Sequence, residues 1–358
     1  MLNIALQRLY NQHLEGPKFQ RPDEVVAWFG AVQAQEYALA QWALGLRMEN
    51  ATDDVIEQAF TDGTILRIHV MRPTWHFVTS ADIRWILELT APRVHAVNAY
   101  MYRQLELDDS LLQRSSAIMV QRLEGGKHLT RAELGAALAE NGIDTSNGMR
   151  LGYIVHYAEL EGTICSGAKR GKQHTYALLN ERAPHARRLA RDEALAELTR
   201  RFFTSHGPAT IKDFSWWSGL TVADVKAGLA MLTSQLDHAV IDGQEYWFSA
   251  SLPAASAPPL NGHLLPVYDE YTIAYKNHSA VLDPQYAEQV ANSRFFISTF
   301  VLNGEIVSMW RRTFNKKSVV IESAPFRPFT SAENDAFAAA AQRFGAFLKM
   351  PVVFGDPA

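Results

Sequence analysis

Residues 236–248 read LDHAVIDGQEYWF: a strand-forming run, Leu236–Ile241, the turn pair Asp242-Gly243, and a second run, Glu245–Phe248. Asp-Gly between two such runs signals a tight hairpin, because both residues tolerate the backbone angles the turn needs. Helical periodicity precedes it at about Pro184–Ser205, Ile211–Ser218 and Thr221–Leu232. Helices closed by a two-stranded ribbon spell a winged helix-turn-helix. Seen once the pattern is weak, since any helix pair before a hairpin matches it.

Upstream the same grammar occurs twice more. The first segment has helices at Leu2–His13 and Pro22–Gly30 and one from Thr52 to Phe60. The Asp62-Gly63 turn and the runs Thr64–Val70 and Pro73–Val78 follow. The second has helices at Ser80–Leu105, Asp109–Leu123 and Ser146–Leu160, and one opened by the capping box Thr130-x-x-Glu133. Strands Gly162–Ser166 and His174–Leu179 flank a basic turn, residues 167–172. Three occurrences at intervals of about 80 to 100 residues make a repeat of pattern, though not of residue identity. Downstream, Pro253–Pro259 is a small, uncharged, Pro-rich linker. Beyond it strands dominate: Leu264–Tyr268, Arg294–Leu302, Glu305–Phe314 and Ser318–Ser323, with an Asn303-Gly304 turn. A last helix, Ser331–Leu348, takes Ser331 as its cap. The fold class expected is α+β: three tandem winged helix-turn-helix modules, at 1–79, 80–180 and 181–252, then a small β-barrel-like domain with a terminal helix at 260–358.

Composition narrows the function. The 358 residues are 47 % hydrophobic, so burial is ample. The single cysteine, Cys165, makes no intramolecular disulfide, which fits a reducing cytoplasm. The N-terminus lacks signal-peptide character and no apolar run is long enough to span a membrane. A net charge of −4 argues against a uniformly basic surface. Between Arg150 and Arg191, however, eight Lys or Arg face three Glu, which suits either a solvated face or a polyanion. No histidine cluster, second cysteine or Gly-rich phosphate loop is present, so neither a metal nor an organic cofactor is expected.

The chemistry concentrates in GAVQAQEYALAQ, residues 30–41. Gln33 and Gln35 point to one side only if the backbone there is extended; on a helix they diverge by about 200°. Extended, two neutral amides can hold one water. A neutral amide is no general base at pH 7, so the substrate must supply activation. An N7- or N3-alkylated purine does so, because it is a cationic leaving group. The bland alternative is two solvated glutamines at a helix end. Glu36 either holds charge at the same loop or is a first-turn acid of the helix Tyr37–Leu46. Lys169, Arg170 and Lys172 on the basic turn would contact phosphates or enter a minor groove. Arg311 and Arg312 either extend that track or snorkel over the barrel edge. Trp216, Trp217 and Tyr271 read more as core than as stacking platforms. Asp269 and Glu270 are an acid–base pair, or caps and arginine partners across a domain boundary. His13 and His69 read as packed histidines, and His76 as either a strand filler or a contact to phosphate or base.

Several of these stretches resemble the bacterial winged-helix DNA glycosylases of the azinomycin-resistance type. The motif Val32-Gln33-Ala34-Gln35 is similar to the family's Gln-apolar-Gln signature. Residues 68–78, IHVMRPTWHFV, resemble its first wing, and LPVYDEY (265–271) and Trp310-Arg311-Arg312 its C-terminal stretches. Pro73 and Ala274 stand where the family usually has glycine; Pro73 removes a backbone donor and stiffens the wing turn. The resemblance implies Gln33 and Gln35 as catalytic, and a DNA track that takes in Arg72 and His76. It also implies a basic channel for double-stranded DNA containing alkylated purines, used by a monomer that leaves an abasic site. Unhooking of interstrand crosslinks belongs to the same expectation. A regulator or damage sensor without catalysis is the competing reading; salt dependence with and without an alkylated base discriminates, because a regulator should ignore the lesion. A protein-interaction scaffold is the third.

Overall fold

The computed structural model describes residues 2–251, 260–292 and 298–355. Its first unit runs α1 (Ile4–Asn11), α2 (Pro22–Phe29), β1 (Val32–Gln33), α3 (Tyr37–Gly45), α4 (Asp53–Asp62), β2 (Ile65–His69) and β3 (Trp75–Thr79). Pro22 opens α2 with Asp23 and Glu24 in the first turn, where a missing N–H is harmless and acids favour the helix dipole. Gly30, at φ +86°, stops the helix in a conformation few other residues accept. The chain then runs extended, and β1 joins the β2–β3 hairpin in the order β1-β3-β2. Val32 lies opposite Phe77 and Gln33 opposite His76. Two residues are too few for alternation to register, so β1 has no sequence signal.

The second unit is α5 (Ile83–Gln104), α6 (Asp109–Leu123), β4 (Leu129–Thr130), α7 (Arg131–Glu140), α8 (Gly148–Leu160), β5 (Ile164–Arg170), β6 (Gln173–Leu178) and α9 (Leu179–Arg182). The capping box stands as read: Glu133 N–H donates to Thr130 Oγ1 at 3.3 Å, and Thr130 N–H donates to Glu133 Oε2 at 2.7 Å. The helix expected from Ser80 starts at Ile83, because residues 79–82 form a turn closed by Thr79 and Asp82. The basic turn is narrower than expected. β5 runs on to Arg170 with an irregularity after Gly167, leaving Gly171 and Lys172 to turn.

The third unit is α10 (Arg191–Ser205), α11 (Ile211–Ser218), α12 (Val222–Ala230), β7 (Leu236–Ile241) and β8 (Gln244–Ser249). The helix expected from Pro184 begins only at Arg191, since Arg187 N–H is drawn to Ala81 O at 2.8 Å. The C-terminal region holds β9 (Gly262–Leu265), α13 (Glu270–Ile273), α14 (Ala287–Asn292), β10 (Ser298–Leu302), β11 (Glu305–Phe314), β12 (Val319–Pro325), α15 (Ser331–Phe347) and β13 (Val352–Phe354). Its sheet, ordered β13-β12-β11-β10-β9, is an open half-barrel curled over α15. Thr330, not Ser331, caps α15, because Thr330 is the residue three before Glu333 and closes a capping box with it. The linker 253–259 and residues 294–297 of the expected strand lie outside the described residues.

Three cores organise these units. Val25, Phe29, Trp42 and Phe60 of the first unit share one core with Leu264, Phe300, Trp310 and Phe344 of the C-terminal region. The other face of the first hairpin (Leu66, Ile68, Val78) packs with Trp85 and with Phe202 and Trp217 of the third unit. The second unit keeps a core of its own around Leu123, Leu138 and Ile154. Among the described residues no helix is long and apolar enough to cross a membrane.

Candidate active site

Gln33 is held extended against β3 and Ala34 N–H donates to Trp75 O at 2.7 Å, after which Gln35 enters a bend before α3. Gln33 is 4 % exposed. Its Oε1 accepts from Arg72 Nη2 at 2.7 Å, and its own N–H donates to Glu270 Oε1 at 2.8 Å. Gln35 is half-buried, with Oε1 facing Trp75 N–H at 3.4 Å and its carbonyl taking Arg67 Nη2 at 3.2 Å. Guanidinium and peptide N–H groups only donate, so the oxygens of both carboxamides must face inward. Each amide therefore keeps its Nε2 hydrogens and one oxygen lone pair for something else.

Glu270 supports the loop from beneath and is 1 % exposed. Its Oε2 accepts from Trp217 Nε1 at 2.8 Å and faces His206 Nε2 at 3.2 Å. Burial pushes the Glu270 carboxyl up, but the hydrogen bonds from His206, Gln33 and Trp217 outweigh it and hold it below its ordinary value. Burial pushes His206 down, so the pair is read as carboxylate and neutral imidazole. Gln33 thus has a buried anion on its backbone side and the Arg72 cation on its side-chain side. Asp269 does something different. It caps α13 and binds Arg47 of the first unit through both oxygens at 2.8 Å, which is the arginine partnership across a boundary.

The turn between β2 and β3 and the start of β3 hold several unpaired polar atoms. Arg72 Nε, Thr74 Oγ1 and His76 Nε2 are all buried with no hydrogen-bond partner among the described residues. His76 is 0 % exposed, so the contact to phosphate expected of it meets a ring shut inside the fold. Its Nδ1–H donates to Thr74 O at 3.0 Å, and burial and Arg72 press its pKa down to about 3, so it stays neutral. Trp216 parts from its neighbour: Trp217 is in the core, while Trp216 is 47 % exposed, with the Arg72 guanidinium 5.8 Å from its ring. Sequence reading missed that exposure because adjacent helical residues point about 100° apart, and nothing marks which one faces out.

The basic track is largely paired. Lys169 Nζ binds Glu57 at 2.9 Å, Arg170 binds Glu133 at 2.7 Å, and Arg311 binds Glu322 at 2.7 Å. Arg312 lies over the Phe314 and Phe344 rings, at 5.4 Å and 5.6 Å. Lys172, at the tip, is exposed and without an ion-pair partner among the described residues. Glu36 is exposed at the start of α3 and makes no side-chain capping bond. His13 packs against Phe19 and Trp28, and His69 pairs with Glu159 at 2.6 Å. No group of three or more His, Cys, Asp or Glu among the described residues is placed to hold a metal ion.

Comparison with known proteins turns this site into a class, the DNA glycosylases: the profile of AlkZ-like DNA glycosylases matches residues 26–347, and the chain belongs to that family. An interstrand DNA cross-link repair glycosylase from Streptomyces sahachiroi is 24 % identical over 324 residues, covering 85 % of each chain. The solved structure of the Streptomyces sahachiroi DNA glycosylase AlkZ shares the fold, with a TM-score of 0.81 over 99 % of this chain and 98 % of that one, at 20 % identity.

Proposed function

We propose that this protein is a monofunctional glycosylase that hydrolyses the N-glycosidic bond of alkylated purines in double-stranded DNA, N7-alkylguanine foremost. We extend this to unhooking interstrand cross-links built on such bases. In this reading the three helix-and-hairpin units work as winged helices around the duplex, in a monomer needing no cofactor. The observation that carries it is Gln33, held on an extended strand between Arg72 and Glu270, with Gln35 two residues further on.

An N7-alkylated guanine is already a cation and leaves readily, so the enzyme has mainly to place a water at C1′ and to accommodate charge developing on the sugar. Arg72 and the Trp75 N–H immobilise the two amides through their oxygens, leaving hydrogens and a lone pair with which to hold that water. Glu270 offsets the charge of Arg72, one of the two guanidinium groups at the loop, which lessens the repulsion of a cationic base. Lys169, which reaches the Tyr37 ring beside the loop, is engaged by Glu57 rather than offered as an amine nucleophile, which favours a plain abasic product. The test is release of 7-methylguanine from a duplex carrying one such base. Release that leaves an abasic strand is expected; lesion-independent binding with no release would make the protein a regulator instead.

Two surface residues give further expectations. Trp216→Ala should weaken binding to lesion DNA by about 1–3 kcal/mol, the range for an aromatic ring stacking on a base, as read by fluorescence anisotropy; unchanged binding would return Trp216 to the scaffold. Lys172→Ala should lower the slope of log affinity against log salt by about one, the share of one phosphate contact. Arg311→Ala should move it less, because Glu322 already neutralises that guanidinium.

A further inference from the structure

Beside the glutamine loop, the first wing and α8 enclose a pocket of about 260 Å³. Trp75 forms the wing-side wall with His69 and Pro73, and it is the Trp75 N–H that faces Gln35 Oε1. Opposite stands one face of α8: Met149, Gly152, Tyr153, His156 and Glu159 follow one another at spacings of three, one, three and three, which aligns them along the helix. Tyr176 closes a third side, and the exposed Arg131 stands at the mouth.

The floor is polar and incompletely paired. Glu159 is 1 % exposed; its Oε2 binds His69, whereas Oε1 is sealed from solvent with no hydrogen-bond partner among the described residues. His156 Nε2 is sealed and unpartnered in the same way. Asn98 Nδ2 lies 3.5 Å from His156 Nδ1, so Nδ1 accepts and Nε2 carries the hydrogen. Burial and the neighbouring His69 and His95 keep that ring neutral, with a pKa near 3. The pocket therefore presents one orphan acceptor and one orphan donor, three residues apart on a single helical face. Aromatic rings continue the floor, with centroids 4.4 Å apart between Trp75 and His69 and 4.1 Å between His69 and His156.

We propose that this pocket binds a purine base, with its hydrogen-bonding edge against Glu159 and His156 and its faces against Trp75, Tyr153 and Tyr176. Guanine supplies both missing partners: N1–H and N2–H donors for Glu159 Oε1, and O6 as acceptor for His156 Nε2–H. While the base is still attached to its sugar, alkylation at N7 gives it a positive charge that the carboxylate and the aromatic faces both favour; once released it is neutral and keeps only the edge and stacking contacts. The volume lies just below the roughly 300 Å³ at which ordinary ligand pockets begin, which suits one ring system and not a long adduct. The base would enter either while still attached to DNA or after its release; the inference rests on the glycosylase reading above.

Titration calorimetry with 7-methylguanine as free base, run beside release kinetics on duplex DNA, tests it. Saturable one-to-one binding is expected, weakened at least tenfold in both Glu159→Gln and Tyr153→Ala, with circular dichroism unchanged. Entry of the attached base would show as a raised KM for release, more than a lowered kcat, in the same variants. Entry of the released base alone would show as product inhibition by 7-methylguanine that both variants abolish. Absence of both kinetic signatures, with free-base binding absent or equal in wild type and variants, overturns the proposal. Free-base binding by a wild type that releases nothing from DNA would instead sink the glycosylase reading and leave the pocket standing.

Discussion

Asp269→Ala is expected to lower the free energy of unfolding by about 3–5 kcal/mol, because it strips a buried cation of its counter-ion. Arg47 and Asp269 are 1 % and 0 % exposed. All five donors of the guanidinium are used: two on Asp269, two on Gln12 and one on the Ala43 carbonyl. Removing the carboxylate leaves that cation in the interior with nothing to balance it. Against a total stability of about 5–15 kcal/mol the loss is large. It should appear as a clear drop in the urea midpoint of the chain. Arg47→Met combined with Asp269→Leu should recover part of it, since a well-packed apolar pair can replace a buried ion pair at little cost. A midpoint unchanged in Asp269→Ala would mean that water reaches Arg47 after all.

Gln35→Ala and Gln33→Ala are each expected to slow base release by about 10²–10³-fold, the usual loss when one preorganised polar group is removed from an active site. The two should differ in how they fail. Gln35 is half-buried and its amide is held by one long bond, so its removal should lower kcat with binding of lesion DNA unchanged. Gln33→Ala also leaves Arg72 with a second unpaired nitrogen, Nε being unpartnered already. It should therefore cost some stability as well as rate. Single-turnover release, with anisotropy for binding, separates these effects. Loss of less than tenfold in both variants would move the chemistry away from the glutamines.

How far the sequence reached depends on distance along the chain. Caps and turns a few residues long were legible: the Thr130–Glu133 box, the Asp242-Gly243 hairpin and the helix Ile211–Ser218 stand as expected. Elements of two to four residues, such as β1, α13 and β13, were not, because they are held by pairing across the fold rather than by local preference. The glutamine motif itself was visible, whereas its support was not. Glu270 is 237 positions from Gln33, and no local pattern relates the two. The pocket face on α8 lay in plain view as a helical spacing, but its polar and aromatic mixture reads as an unremarkable half-buried helix until the wing is packed against it.

The same long reach sets a schedule for manufacture. Chains emerge from the ribosome N-terminus first, so the glutamine strand is made before the residues that support it. Its carboxylate support, Glu270, follows 237 positions later, together with the C-terminal share of the core beneath it. A chain interrupted before Glu270 can already form helices and hairpins, yet it carries Gln33 with no anchor for its N–H. On the reading proposed above, the site stays unfinished until the chain has been made as far as Glu270 and the core around it.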